Sequence, residues 1–130
     1  MSAEPDLLVP ICSSADLIEG GRGVRFPVCE SGHEGTGFVV RYGGAAHAYL
    51  NRCAHVPIEL DWAEGEFFES SGLFLMCATH GAIYDPQTGQ CLGGPCRGGR
   101  LQKIVAIERE HTIFWQPDMR LRAAAEPNSK

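Results

Sequence analysis

No apolar run in the 130-residue sequence approaches the roughly 20 residues that a membrane-crossing helix needs. The start, Met1-Ser2-Ala3-Glu4-Pro5-Asp6, is acidic and lacks the basic-then-apolar order of a secretory signal. A cytoplasmic, reducing location without membrane association is therefore expected, and cysteines there stay as thiols. Basic charge is scarce as well: 11 Lys and Arg face 16 Asp and Glu, a formal charge of −5. Nucleic-acid binding needs a basic face, so that class is set aside. The acidic balance suits solubility, or docking on a basic protein surface. A nucleophile paired with a base is missing too, and Gly93-Gly94 and Gly98-Gly99 lack the Lys-Ser/Thr and helix start of a phosphate loop. This length supports one core, not two. It leaves no room for a separate catalytic domain, and no small-molecule substrate is expected.

Glycine (16) and proline (8) are plentiful, which points to short strands joined by turns. Residues 7–11 are expected as an edge strand, because Pro10 is tolerated only at an edge. Residues 13–17 suit a capped helical turn closed by Gly20-Gly21. Residues 24–29 alternate as a strand, and 37–42 and 46–50 flank Gly43-Gly44 as a hairpin. A second hairpin is expected from 66–69 and 73–76 around Ser70-Ser71-Gly72, and a third from 101–108 and 112–116 around Arg109-Glu110-His111. From Arg120 onward the residues are polar or alanine-rich, so the expected division is a domain over 1–119 and a flexible tail over 120–130.

Two stretches carry chemistry: Cys53-Ala54-His55 and Cys77-Ala78-Thr79-His80. Each joins a thiolate donor to an imidazole donor just past an expected strand, which holds the donors on rigid supports. Two Cys and two His suit either a zinc ion or an iron–sulfur cluster of mixed ligation, and donor types alone leave both open. A zinc finger of the Cys2His2 type needs a helix carrying both histidines, and no helical signal surrounds His55 or His80.

The order C-x-H followed by C-x-x-H resembles the ligand order of Rieske [2Fe–2S] centres, and the resemblance extends over most of the chain. Asn51-Arg52-Cys53-Ala54-His55 looks like the first cluster-binding loop and Cys77-Ala78-Thr79-His80-Gly81 like the second. Tyr84-Asp85-Pro86-Gln87-Thr88-Gly89-Gln90 resembles the family's aromatic-Asp-x-x-Thr-Gly segment, and Gly93-Gly94-Pro95 the third loop that covers the cluster. Several elements in the right order make a specific signal where each alone is weak. The resemblance implies one [2Fe–2S] cluster per chain, with Cys53 and Cys77 on the inner iron and His55 and His80 on the outer. Two neutral imidazoles in place of two thiolates leave the oxidised centre formally uncharged, which eases electron entry and raises the potential.

Departures from the family pattern refine this expectation. High-potential respiratory members carry an extra cysteine in each loop, joined as a disulfide; the matching positions here are Ile58 and Thr79, so that bridge cannot form. Those members also place a serine two residues after the second histidine as a hydrogen-bond donor, where this chain has Ala82. Tyr84 is retained, and its hydroxyl is expected to reach a ligand sulfur. One donor lost and one kept place the potential toward the lower part of the roughly −150 to +300 mV Rieske range. The 21-residue gap between His55 and Cys77 is longer than the family's commonest spacing. Its hairpin can absorb the excess, with Asp61, Trp62, Glu64 and Glu66 as candidate docking groups.

Pro57, Ile58 and Pro95 are expected to shield the cluster. Cys91 and Cys96, spaced like a pair beside the covering loop, are expected as half-buried thiols, and Cys12 and Cys29 as core packing. His33, His47 and His111 lack a nearby second donor and are expected at the surface or in hairpins. The aromatics, Trp62 and Trp115 among them, are expected in the core rather than on a nucleic-acid platform.

The expected architecture is all-β: a Rieske-like fold of stacked antiparallel sheets with a small cluster-binding subdomain of two hairpin loops. The implied role is that of a ferredoxin, an electron-transfer protein that takes one electron from a reductase and passes it to an oxygenase or similar acceptor. Two other classes stand beside it, a zinc-binding interaction module and an accessory subunit of a larger redox enzyme such as nitrite reductase.

Overall fold

Two-residue turns organise the main sheet. Ser31-Gly32, Gly43-Gly44 and Glu110-His111 have positive φ at both positions, the turn geometry that matches the twist of paired antiparallel strands. They join β2 (Val24–Glu30) to β3 (His33–Tyr42), β3 to β4 (Ala45–Leu50), and β8 (Lys103–Arg109) to β9 (Thr112–Gln116). The computed structural model describes residues 8–54, 58–79, 81–96 and 98–123. With β1 (Val9–Ser13) and β10 (Leu121–Ala123), these strands form a seven-stranded antiparallel sheet in the order β1-β9-β8-β4-β3-β2-β10. The sheet curls far enough for β1 to pack on β2. β1 lies at an edge, as Pro10 requires. Ser13 caps the short 3-10 turn Ser14–Asp16, its hydroxyl accepting from Ala15 N–H while its own N–H donates to Asp16.

Two expectations need correction here. β3 begins at His33, four residues before the expected start, because β2 supplies a backbone partner to a polar, glycine-rich stretch that shows no apolar alternation. The expected tail also starts too early. The Asp118 carboxylate accepts from Arg120 N–H (2.8 Å) and Leu121 N–H (2.9 Å), reversing the chain so that β10 pairs with β2 and Leu121 enters the core. Residues 124–130 lie outside the described residues.

A smaller sheet holds β5 (Leu75–Met76), β6 (Ile83–Tyr84) and β7 (Cys91–Gly93) in that order. The hairpin expected over 66–76 is shorter than its pattern implied. It is held by a single bridge between Phe68 and Leu75, by Met76 N–H donating to the Phe67 carbonyl (2.8 Å) and by Glu69 N–H donating to the Phe74 carbonyl (3.0 Å).

Strand alternation divides the interior in two. Phe38 and Val40 of β3 and Tyr49 of β4 point into one core, while Val39, Ala48 and Leu50 point into the other. The second core, with Trp115, Phe26, Ile113 and Leu121, fills the inside of the main sheet. The first spans the main sheet and the small one, and it contains Cys53, Cys77 and Tyr84. Phe67 welds the long inter-loop segment to the main sheet, its ring stacked on Phe38 at 3.9 Å between centroids. Among the described residues no helix is long and apolar enough to cross a membrane.

Candidate metal centre

Each cysteine follows the end of a strand, and backbone bonds shape what comes next. After β4, Asn51 N–H donates to the Thr36 carbonyl (2.7 Å) and Cys53 N–H to the Ile58 carbonyl (2.7 Å), closing the first loop on itself. After β5, Cys77 N–H donates to the Ala82 carbonyl (2.9 Å), and Gly81 N–H donates back to the Cys77 carbonyl (2.7 Å). Gly81 takes φ +74°, the left-handed conformation that lets this loop turn within so few residues. Cys53 and Cys77 are both buried in the same apolar core. His55, Pro57 and His80 lie outside the described residues.

Tyr84 links the small sheet to the first loop. Its hydroxyl oxygen accepts from Ala54 N–H (2.9 Å) and lies 3.3 Å from Cys53 Sγ. With the oxygen engaged by the amide, the hydroxyl proton is available to the sulfur. Burial, reinforced by neighbouring Cys53, pushes the Tyr84 pKa above its ordinary value, so the group stays a donor through the neutral range. Ala82 is fully buried in the same core and offers no hydroxyl.

The third loop closes over both others. Gly94, at φ +86°, runs so near the second loop that a Cβ there would sit 3.0 Å from Ala82 Cα. A Cβ on Gly99 would sit 3.1 Å from Ala54 Cβ in the first loop. Ile58 is half-buried against the core, whereas Pro95 is exposed.

Three expectations change. Cys91 and Cys96 form a disulfide rather than two thiols. The reversal after β7 brings their Cα atoms to 5.7 Å, within bridging range, and both sulfurs lie against the Gly93 carbonyl at 3.6 and 3.3 Å. Asp61 is buried and bonded inside the protein, so it cannot serve as a docking group, while Glu64 and Glu66 are exposed. Trp62 is 85% exposed rather than in the core.

His33 and His111 are exposed in hairpins as expected, and His47 is half-buried in β4, where burial holds it below its ordinary pKa. Cys12 and Cys29 are half-buried in strands; burial pushes the Cys12 thiol up to about 11. A cavity of about 650 Å³ between residues 19–22, 42–43 and 66–73 is lined by none of the cysteines nor by Tyr84.

Thiolates in an apolar interior need hydrogen-bond donors or a metal to offset their charge. The tyrosine donor on Cys53, the second cysteine in the same core and the short loops after both suit a thiolate-bound metal group.

No curated protein matches the chain. Among solved structures, the ferredoxin of carbazole 1,9a-dioxygenase from Nocardioides aromaticivorans IC177 has a TM-score of 0.68 at 24% identity, covering 85% of this chain and 98% of that one. The Sphingomonas yanoikuyae B1 ferredoxin gives 0.65 at 18% identity, with 85% and 99% covered. A complex of reduced oxygenase and oxidized ferredoxin in carbazole 1,9a-dioxygenase gives 0.65 at 20%, with 85% and 93% covered. At these identities the likeness is one of fold. The Rieske [2Fe-2S] domain family matches residues 8–108, from ahead of β1 nearly to the end of β8. That span takes in both cysteine loops, Tyr84 and the covering loop, and the chain belongs to the Rieske [2Fe–2S] domain family.

Proposed function

We propose that the protein is a Rieske-type ferredoxin, an electron carrier that takes one electron from a reductase and delivers it to an oxygenase or similar acceptor. In this reading Cys53 and Cys77 bind one iron of a [2Fe–2S] cluster, and His55 and His80 bind the other, one cluster per chain. The observation that carries it is the pair of buried cysteines in one core, with the Tyr84 hydroxyl on Cys53. When bound, the cluster supplies one-electron transfer at a potential raised by its imidazole ligands.

The chain's own residues do the rest. Tyr84 donates to the Cys53 sulfur, the third loop packs closely on both cysteine loops, and Leu60, Leu75 and Leu101 keep the surrounding core apolar. The solved complex of an oxygenase with its ferredoxin supports an oxygenase as acceptor. The domain extends through β10, and its location is taken as the cytoplasm.

The test is an electron paramagnetic resonance spectrum of the dithionite-reduced protein with iron, sulfide and zinc analysis. A Rieske-type signal with two irons per chain is the expected result. A silent sample holding stoichiometric zinc after anaerobic reconstitution with iron would overturn the proposal. Loss of the signal in His80→Ala checks the outer ligands, and an unchanged Rieske spectrum there would reject them.

A further inference from the structure

Asn51 and Asp61 are the two buried polar side chains among the described residues. They bond to each other, Asn51 Nδ2 donating to Asp61 Oδ1 at 2.9 Å. The Asn51 oxygen accepts from Leu60 N–H (2.8 Å), and the second Asp61 oxygen accepts from Gly65 N–H (2.9 Å). Arg25 of β2 supplies the counter-charge, its Nε 3.6 Å from Asp61 Oδ2 and its guanidinium also paired with Glu59. A hydrophobic pair would fill such a space at less cost in desolvation, so what the polar couple adds is direction.

The direction runs between the two cysteine loops. Asn51 stands two residues before Cys53. Leu60, held by the Asn51 oxygen, accepts through its own carbonyl from Ala78 N–H (2.9 Å), the residue after Cys77. One side chain and one backbone unit thus span from the first loop to the second. The far end of the segment is fastened as well: Gly65, held by Asp61, accepts from Gly23 N–H (2.8 Å) beside β2. The Leu60 and Gly65 anchors of the long segment between the loops thus converge on the couple.

We propose that Asn51 and Asp61 are a positioning pair that sets the spacing of the Cys53 and Cys77 loops before any metal arrives. The proposal rests on the assignment of those cysteines as ligands.

An exchange of the two side chains tests it. Asn51→Asp alone sets two carboxylates against each other in a buried site. Asp61→Asn alone keeps the bond to Asn51 only by turning its amide group onto Gly65 N–H. The double variant N51D/D61N restores the three hydrogen bonds of the couple, though not the Arg25 ion pair at position 61: the carboxylate at 51 accepts from Leu60 N–H and from the amide at 61, whose oxygen accepts from Gly65 N–H. Cd²⁺ is titrated into the metal-free full chain and followed by its thiolate absorption band, with far-ultraviolet circular dichroism to measure the folded fraction. Supporting groups around metal ligands typically change metal affinity about 10–100-fold, and a loss of that size is expected in Asn51→Asp with the fold retained. The double variant is expected to recover to within about threefold of the parent.

Parental affinity in both single variants, a double variant no better than the worse single, or losses that follow the unfolded fraction would each overturn the proposal. Failure of Asn51→Asp to fold leaves the decision to Asp61→Asn against the double variant. A parent that binds Cd²⁺ through its thiolates but gives no Rieske signal on reconstitution would defeat the cluster assignment alone, because the cadmium comparison still reports the spacing.

Discussion

Replacing Tyr84 with Phe should lower the reduction potential without dislodging the cluster. The hydroxyl sits 3.3 Å from Cys53 Sγ with its oxygen already engaged by Ala54 N–H, so its proton serves the sulfur. Reduction adds negative charge that is shared with the sulfur ligands, and a hydrogen bond to sulfur therefore favours the reduced state over the oxidised one. A hydrogen bond to a charged acceptor contributes about 1.5–3 kcal/mol in total. If about 1 kcal/mol of that differs between the two redox states, the potential falls by ~40 mV, since 59 mV corresponds to a tenfold change for one electron. The ring of Tyr84 is fully buried and phenylalanine keeps its packing, while Ala54 is exposed and its N–H can turn to water. Because burial and Cys53 hold the Tyr84 pKa above its ordinary value, the shift should be the same at about pH 6 and about pH 9, both below tyrosine's ordinary pKa. Protein-film voltammetry measures it. Tyr49→Phe is the control: that hydroxyl lies in the same core but donates to the Pro86 carbonyl (2.7 Å), and its loss should leave the potential in place. An unchanged or raised potential in Tyr84→Phe, or an equal fall in Tyr49→Phe, would refute the reasoning.

Further outcomes follow from other contacts. Ala82→Ser puts a hydroxyl into the core that holds both cysteines, and voltammetry should show a rise of about 40 mV if the added donor favours the reduced state by about 1 kcal/mol; no rise removes the hydrogen-bond explanation. Phe67→Ala removes the ring stacked on Phe38 and should cost about 3–5 kcal/mol in chemical denaturation, so a cost under about 1 kcal/mol would show that the long segment is not welded there. Alkylation in denaturant followed by peptide mass analysis should leave Cys91 and Cys96 unmodified until a reductant is added; modification without reductant would show two thiols.

Much of this protein is legible locally. Pro10 marks an edge strand and Gly43-Gly44 a tight turn because backbone conformation is a property of a few adjacent residues. The β2–β3 hairpin is not legible in the sequence, because residues 30–37 are polar and rich in glycine and only pairing with β2 makes them a strand. Tyr84 was legible as a sulfur partner through its place in a motif, and the structure puts the hydroxyl there. Asp61 and Trp62 show the reverse. Adjacent in sequence and alike in looking exposed, one is buried in a bonded couple and the other stands in solvent.

The sequence by itself supplied the Cys53, His55, Cys77 and His80 motif, the strand alternation that separates two cores, and the Gly43-Gly44 and Glu110-His111 turns of the main sheet. These depend on residue type and on spacing along the chain. Tertiary structure decided that Cys91 and Cys96 meet, that Leu121 closes the sheet, and that Asn51 reaches Asp61 while Leu60 reaches Ala78. Those outcomes depend on which separated segments come to share a space, and a buried carboxylate, an amide or a thiol acquires its role only from the neighbour it finds there.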